Sequence, residues 1–68
     1  MTTVDARGLS CPEPVMMTSK AMLTKENEYV ILVDNTCSRE NVTRFAEHQG
    51  YVVSVDEKGE EYHLTLRK

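Results

Sequence analysis

The chain has 68 residues, 40% of them apolar, and eight Lys plus Arg against eleven Asp plus Glu give it a net charge of −3. That length supports one small domain over residues 1–68, in which burial and ordering entropy nearly cancel and little room is left for an internal cavity. The acidic balance is the wrong sign for gripping phosphates, and the longest apolar run, Tyr29 to Val33, is far short of the roughly 18 residues that cross a bilayer. The expectation is a cytoplasmic protein with no membrane and no direct nucleic-acid partner.

Thr2 to Asp5 reads as a short first strand anchored by Val4, ended by the turn Arg7-Gly8-Leu9-Ser10. From Pro12 to about Lys25 the period is helical, with Val15, Met16, Ser19, Met22 and Leu23 on one side and Lys20 and Lys25 away from it. Met16, Met17 and Met22 are read as core filling. Glu28 to Asp34 holds the β-branched run Tyr-Val-Ile-Leu-Val, which predicts a central strand covered by helices. A second helix is predicted over Arg39 to Gln49, with Ser38 as N-cap, Glu40 at the positive end of the dipole, Val42, Phe45 and Ala46 as the stripe, and Gly50 as the C-terminal cap. Tyr51 to Asp56 and Glu61 to Arg67 alternate around a charged tip and read as a terminal hairpin whose Tyr62, Leu64 and Leu66 share one face.

The order is βαβαββ. Right-handed crossovers make the first two strands parallel and the hairpin antiparallel, giving an α/β (α+β) two-layer sandwich with a mixed four-stranded sheet and both helices on one face. The other face must tolerate water, and Ser54, Asp56, His63 and Thr65 suit it. His48 and His63 are read as solvated, no Cys/His spacing suggests a metal, and no cofactor is implied.

The informative stretch is Gly8-Leu9-Ser10-Cys11-Pro12-Glu13-Pro14. A helix tolerates proline only in its first turn, so Pro14 sits no deeper than the third helical position and Cys11 stands at or beside the N-cap. The positive end of the dipole favours thiolate there and lowers the thiol below the roughly 8.5 of a free cysteine, while Glu13 opposes it. Pro12 and Pro14 also restrict the backbone around the sulfur, so replacing them with Ala is expected to spare the fold and loosen the position of the thiol. Arg7, on the same loop, and Lys20 are candidates for stabilising an anionic sulfur or docking an acidic partner.

The run Val4-Asp5-Ala6-Arg7-Gly8-Leu9-Ser10-Cys11-Pro12-Glu13-Pro14-Val15-Met16 resembles the signature of the TusA/SirA family of small sulfur carriers, whose hallmark is Cys-Pro-x-Pro opening the first helix. Val33-Asp34-Asn35, Glu40-Asn41-Val42, Arg44-Phe45-Ala46-Glu47 and Gly50-Tyr51 are similar to the amino-terminal domain of the YedF-like branch, linked to selenium metabolism in some bacteria. The resemblance implies strand order 1-2-4-3 and a role. Cys11 would accept sulfane sulfur as a persulfide from a cysteine desulfurase or rhodanese-like donor and relay it to an acceptor protein. Ser19 and Cys37 depart from the family pattern: the tRNA-thiolation branch commonly has a basic residue at the former, and the latter breaks a single-cysteine pattern.

Two other functions stay open: a thiol redox protein using Cys11 and Cys37, and a docking module without chemistry. Residues following neighbouring parallel strands emerge at one edge, which puts both cysteines on one rim. Loop residues separate each from its strand, however, so Cys37 is expected to be a free secondary thiol with no bond to Cys11.

Overall fold

The computed structural model describes residues 2–10 and 13–68. Strand β1 (Thr2–Asp5) leads to helix α1 (Glu13–Ala21) and one 3-10 turn (Met22–Thr24), followed by β2 (Glu28–Val33), helix α2 (Thr36–His48), β3 (Val52–Lys58) and β4 (Glu61–Arg67). The strands form one sheet in the order β1-β2-β4-β3. β1 and β2 are parallel, with Val4 opposite Ile31, and β4 runs antiparallel to both β2 and β3. Fold class, strand order and the βαβαββ sequence are those expected.

Register decides which face is covered. Val4, Ile31, Leu64 and Val55 lie in one cross-strand row and Thr2, Tyr29, Leu66 and Val53 in another, so these side chains share a face. Val4, Tyr29, Ile31, Val33, Leu64 and Leu66 are buried there with Val42, Ala46, Ala6 and Tyr51 in one core. Both helices lie over that face. Ser54, Asp56, His63 and Thr65 occupy the opposite one, as their polarity demands. β2 is central but is covered on one side only: Tyr29, Ile31 and Val33 are buried, whereas Val30 and Leu32 are half-exposed on the uncovered face.

Several boundaries and faces differ from the sequence reading. The stripe of α1 is Pro14 and Thr18, both buried, continued by the partly buried Ala21 and Met22 at the i, i+4, i+7, i+8 spacing. Met16 and Leu23 point outward, 63% and 78% exposed, and Met17 is also exposed, so only Met22 of the three methionines fills the core. α1 stops at Ala21, because the chain tightens into the 3-10 turn and Lys25 takes a left-handed conformation with φ 55°. Helix α2 begins three residues earlier than predicted, with Asn35 as its N-cap; Oδ1 of Asn35 accepts the Ser38 N–H at 2.8 Å, and Ser38 itself is buried. Its C-terminus closes as expected at Gly50, φ 88°, where the Tyr51 N–H reaches the Ala46 carbonyl at 3.0 Å. β3 extends to Lys58, and the hairpin turns on Gly59-Glu60 alone.

Candidate functional site

Because β1 and β2 are parallel neighbours, the loops that follow them leave the same edge of the sheet, and the N-termini of α1 and α2 are both set at that rim. The segment between β1 and α1 is fixed to its neighbour by side chains that the sequence reading passed over. The Gly8 N–H donates to Oδ2 of Asp34 at 2.7 Å, and the Nδ2 amide of Asn35 donates to the Leu9 carbonyl at 3.2 Å. Asn35 therefore does two jobs: it caps α2 and ties that cap to the loop leading into α1. Gly8 is in the left-handed region, φ 80°, which a side-chain-bearing residue adopts only with strain. Asp34 and Asn35 directly follow β2 as a polar pair before a helix, a signal for a cap that was available to sequence reasoning.

Cys11 and Pro12 lie outside the described residues. Their flanks are described: the Glu13 N–H donates to the Ser10 carbonyl at 3.0 Å, and Glu13 and Pro14 are the first and second residues of α1. Pro14 is within the depth its missing N–H allows. It is also fully buried, and its carbonyl accepts the Thr18 hydroxyl at 2.8 Å, so this proline is part of the core as well as of the helix start. That burial changes the expectation for Pro14→Ala. Loss of the ring methylenes is expected to cost about 1–2 kcal/mol, read as a lower urea midpoint; an unchanged midpoint would show that the ring serves the helix start alone.

Arg7 is committed to two carboxylates. Its Nε and Nη2 donate to Oδ1 and Oδ2 of Asp5 at 2.8 and 2.7 Å, and Nη1 donates to Oε2 of Glu61 at 3.1 Å. It pins the exit of β1 to the start of β4. The hydrogen bonds from the Arg7 guanidinium and backbone N–H hold the Asp5 carboxyl down at about 2. A depressed carboxyl supports folding above its unfolded range near 3.8 and loses that support as pH falls through about 2. The carboxyl carbon of Asp5 is expected to titrate near pH 2 by NMR and to return to the ordinary range in Arg7→Ala; no movement would mean the fork is not formed in solution. Lys20 is exposed in the last turn of α1, about 10 Å along the axis from Glu13 at 1.5 Å per residue. Neither cation is brought to the head of α1 by what is described.

Cys37 is the second residue of α2, exposed, with the Asn41 Nδ2 amide 3.6 Å from its Sγ. It is disulfide-bonded, and among the described residues no cysteine is free. The expectation of a free Cys37 thiol is thus corrected. Starting α2 at Thr36 moves Cys37 from the approach to the helix into its first turn, two residues beyond the Asn35 clasp on Leu9. The sequence contains one other cysteine, Cys11. Among the described residues no group of three His, Cys, Asp or Glu side chains could hold a metal ion, and no helix is long and apolar enough to cross a membrane.

The two helices lie on one face of the four-stranded sheet, and the described heads of both are set at one rim. The family model described as Sulfurtransferase TusA matches residues 2–68, and the chain belongs to that family, with the sulfur-carrier role that membership gives it. A relative from Methanocaldococcus jannaschii, named "Putative sulfur carrier protein", is 35% identical over 71 aligned residues, covering 100% of this chain and 95% of the relative. The crystal structure of a SirA-like protein from Desulfitobacterium hafniense superposes with a TM-score of 0.90 at 35% identity, over 98% of this chain and 96% of that one.

Proposed function

We propose that this protein carries sulfane sulfur as a persulfide on Cys11, taking it from a cysteine desulfurase or rhodanese-like donor and handing it to an acceptor protein in the cytoplasm. The observation that carries the reading is the Cys-Pro-Glu-Pro sequence at residues 11–14 within a match to a sulfurtransferase family over residues 2–68. Its physical support is threefold. The head of a nine-residue helix favours an anionic sulfur. A buried Pro14 on one side of residues 11–12, and the Asp34 and Asn35 clasps on Gly8 and Leu9 on the other, hold the described flanks in place. A carrier of this kind also needs no enclosed substrate cavity, only access for two partners in turn, which a 68-residue sandwich can supply. The similarity of Val33 to Asn35 and Arg44 to Glu47 to the YedF-like branch makes selenium metabolism a pathway to test beside sulfur metabolism.

The test uses Cys37→Ser, which leaves one thiol. Incubated reduced with a cysteine desulfurase and cysteine, it is expected to gain one sulfur, about 32 Da, by intact mass. No gain would sink the carrier reading. The disulfide at Cys37 favours a second reading, a dithiol couple, and ties it to the first.

A further inference from the structure

We propose that Cys37 is a resolving thiol that discharges the cargo sulfur as hydrogen sulfide when no acceptor takes it, leaving a Cys11–Cys37 disulfide. The proposal rests on the persulfide reading of Cys11 and adds an exit for the sulfur that the relay does not require. Three observations carry it. Cys37 is disulfide-bonded, and Cys11 is the only other cysteine in the sequence. The Asn35 side chain spans from the Leu9 carbonyl, two residues before Cys11 in sequence, to the Ser38 N–H, one residue after Cys37, so one clasp joins the described flank of Cys11 to the helix turn that bears Cys37. Cys37 also has what a nucleophile needs: exposure, a place in the first turn of a 13-residue helix with no acidic residue in that turn, and an amide donor from Asn41 at 3.6 Å from its sulfur.

The step balances without an outside oxidant. The Cys37 thiol gives its proton to solvent, and the thiolate attacks Sγ of Cys11 in Cys11–S–SH. The bond from Sγ to the outer sulfur breaks and that sulfur leaves as hydrosulfide, which takes up a proton to become hydrogen sulfide. One S–S bond forms and one breaks; the outer sulfur gains the two electrons that the two cysteine sulfurs lose. A dithiol or glutathione-type reductant then returns the disulfide to two thiols for another round. The protein thus holds cargo only briefly in the absence of an acceptor.

The experiment loads reduced wild type, Cys37→Ser and Cys37→Ala with one equivalent of inorganic polysulfide, removes the excess, and follows sulfide release and intact mass together. Because position 37 is exposed, both variants should retain the fold, and circular dichroism checks it. Wild type is expected to release one sulfide per chain and settle about 2 Da below the reduced mass, while both variants keep the added sulfur of about 32 Da and release sulfide at least about tenfold more slowly. Wild type that keeps its added sulfur as long as the variants do overturns the resolving role and leaves the carrier reading standing. Variants that never gain the sulfur overturn the carrier reading, and this inference with it.

Discussion

Replacing Tyr29 by alanine is expected to remove about half of the protein's folding stability. Tyr29 is fully buried in the central strand, with its ring edge-on to Tyr51 at 5.8 Å and 61°. Its hydroxyl accepts the Glu26 N–H at 2.8 Å and shares a hydrogen bond with the Thr24 hydroxyl at 2.9 Å. The Tyr51 hydroxyl donates to the Glu26 carbonyl at 2.9 Å, and the Thr2 hydroxyl to the Glu26 carboxylate. Two tyrosines and the first strand thus fasten the connection into β2 at Glu26. Truncating a buried aromatic side chain costs about 3–5 kcal/mol, against about 3–10 kcal/mol of total stability for a domain this small. Tyr29→Phe, which leaves the Glu26 N–H without its acceptor, should cost about 1–3 kcal/mol. Urea unfolding checks both; a Tyr29→Ala midpoint equal to wild type would mean that the core does not depend on this ring.

The second large effect is chemical. Cys11→Ser, made in the Cys37→Ser background, is expected to abolish sulfur loading and to leave the thermal midpoint within a few degrees. Loading requires a soft anionic nucleophile that forms a stable S–S bond, and a serine hydroxyl at neutral pH supplies neither the anion nor the bond. Stability should hold because the described segments beside it are fixed by Gly8, Leu9, Glu13 and Pro14 through contacts that do not involve the thiol. Loading measured as incorporation of labelled sulfur decides the matter. A double variant that loads like its Cys11-bearing parent would show that the sulfur binds elsewhere.

Strand boundaries and topology were legible because they depend on local signals that agree with tertiary packing. β1 and β4 fall where alternation and turn residues put them, and right-handed crossovers left few ways to arrange the four strands. The face of α1 was misread for a physical reason. Hydrophobicity ranked Met16 and Leu23 above Pro14 and Thr18, yet the proline and the threonine are small enough to seat the helix close to the sheet. Thr18 can be buried because its hydroxyl is satisfied within its own helix, by the Pro14 carbonyl. The start of α2 was misread because Ser38 and Asn35 are both acceptable caps; the chain used Asn35, whose longer side chain also reaches the Leu9 carbonyl of another loop. That choice carried Cys37 into the first turn of the helix. The expectation of a free Cys37 thiol came from counting loop residues, without the asparagine that ties the Leu9 carbonyl to the head of α2. Which side chains clasp across a rim depends on pairs separated by 26 positions, and no single-sequence periodicity contains them.

The measurement closest to the central claim locates the first sulfur that arrives. Trypsin cuts after Arg7, Lys20, Lys25 and Arg39, which puts Cys11 in the peptide 8–20 and Cys37 in the peptide 26–39. Reduced wild type is loaded by a cysteine desulfurase, quenched with an alkylating reagent within the first turnover, digested and weighed. Carriage on Cys11 predicts the extra sulfur on peptide 8–20 and none on 26–39. Sulfur appearing first on peptide 26–39, or equally on both, would contradict it.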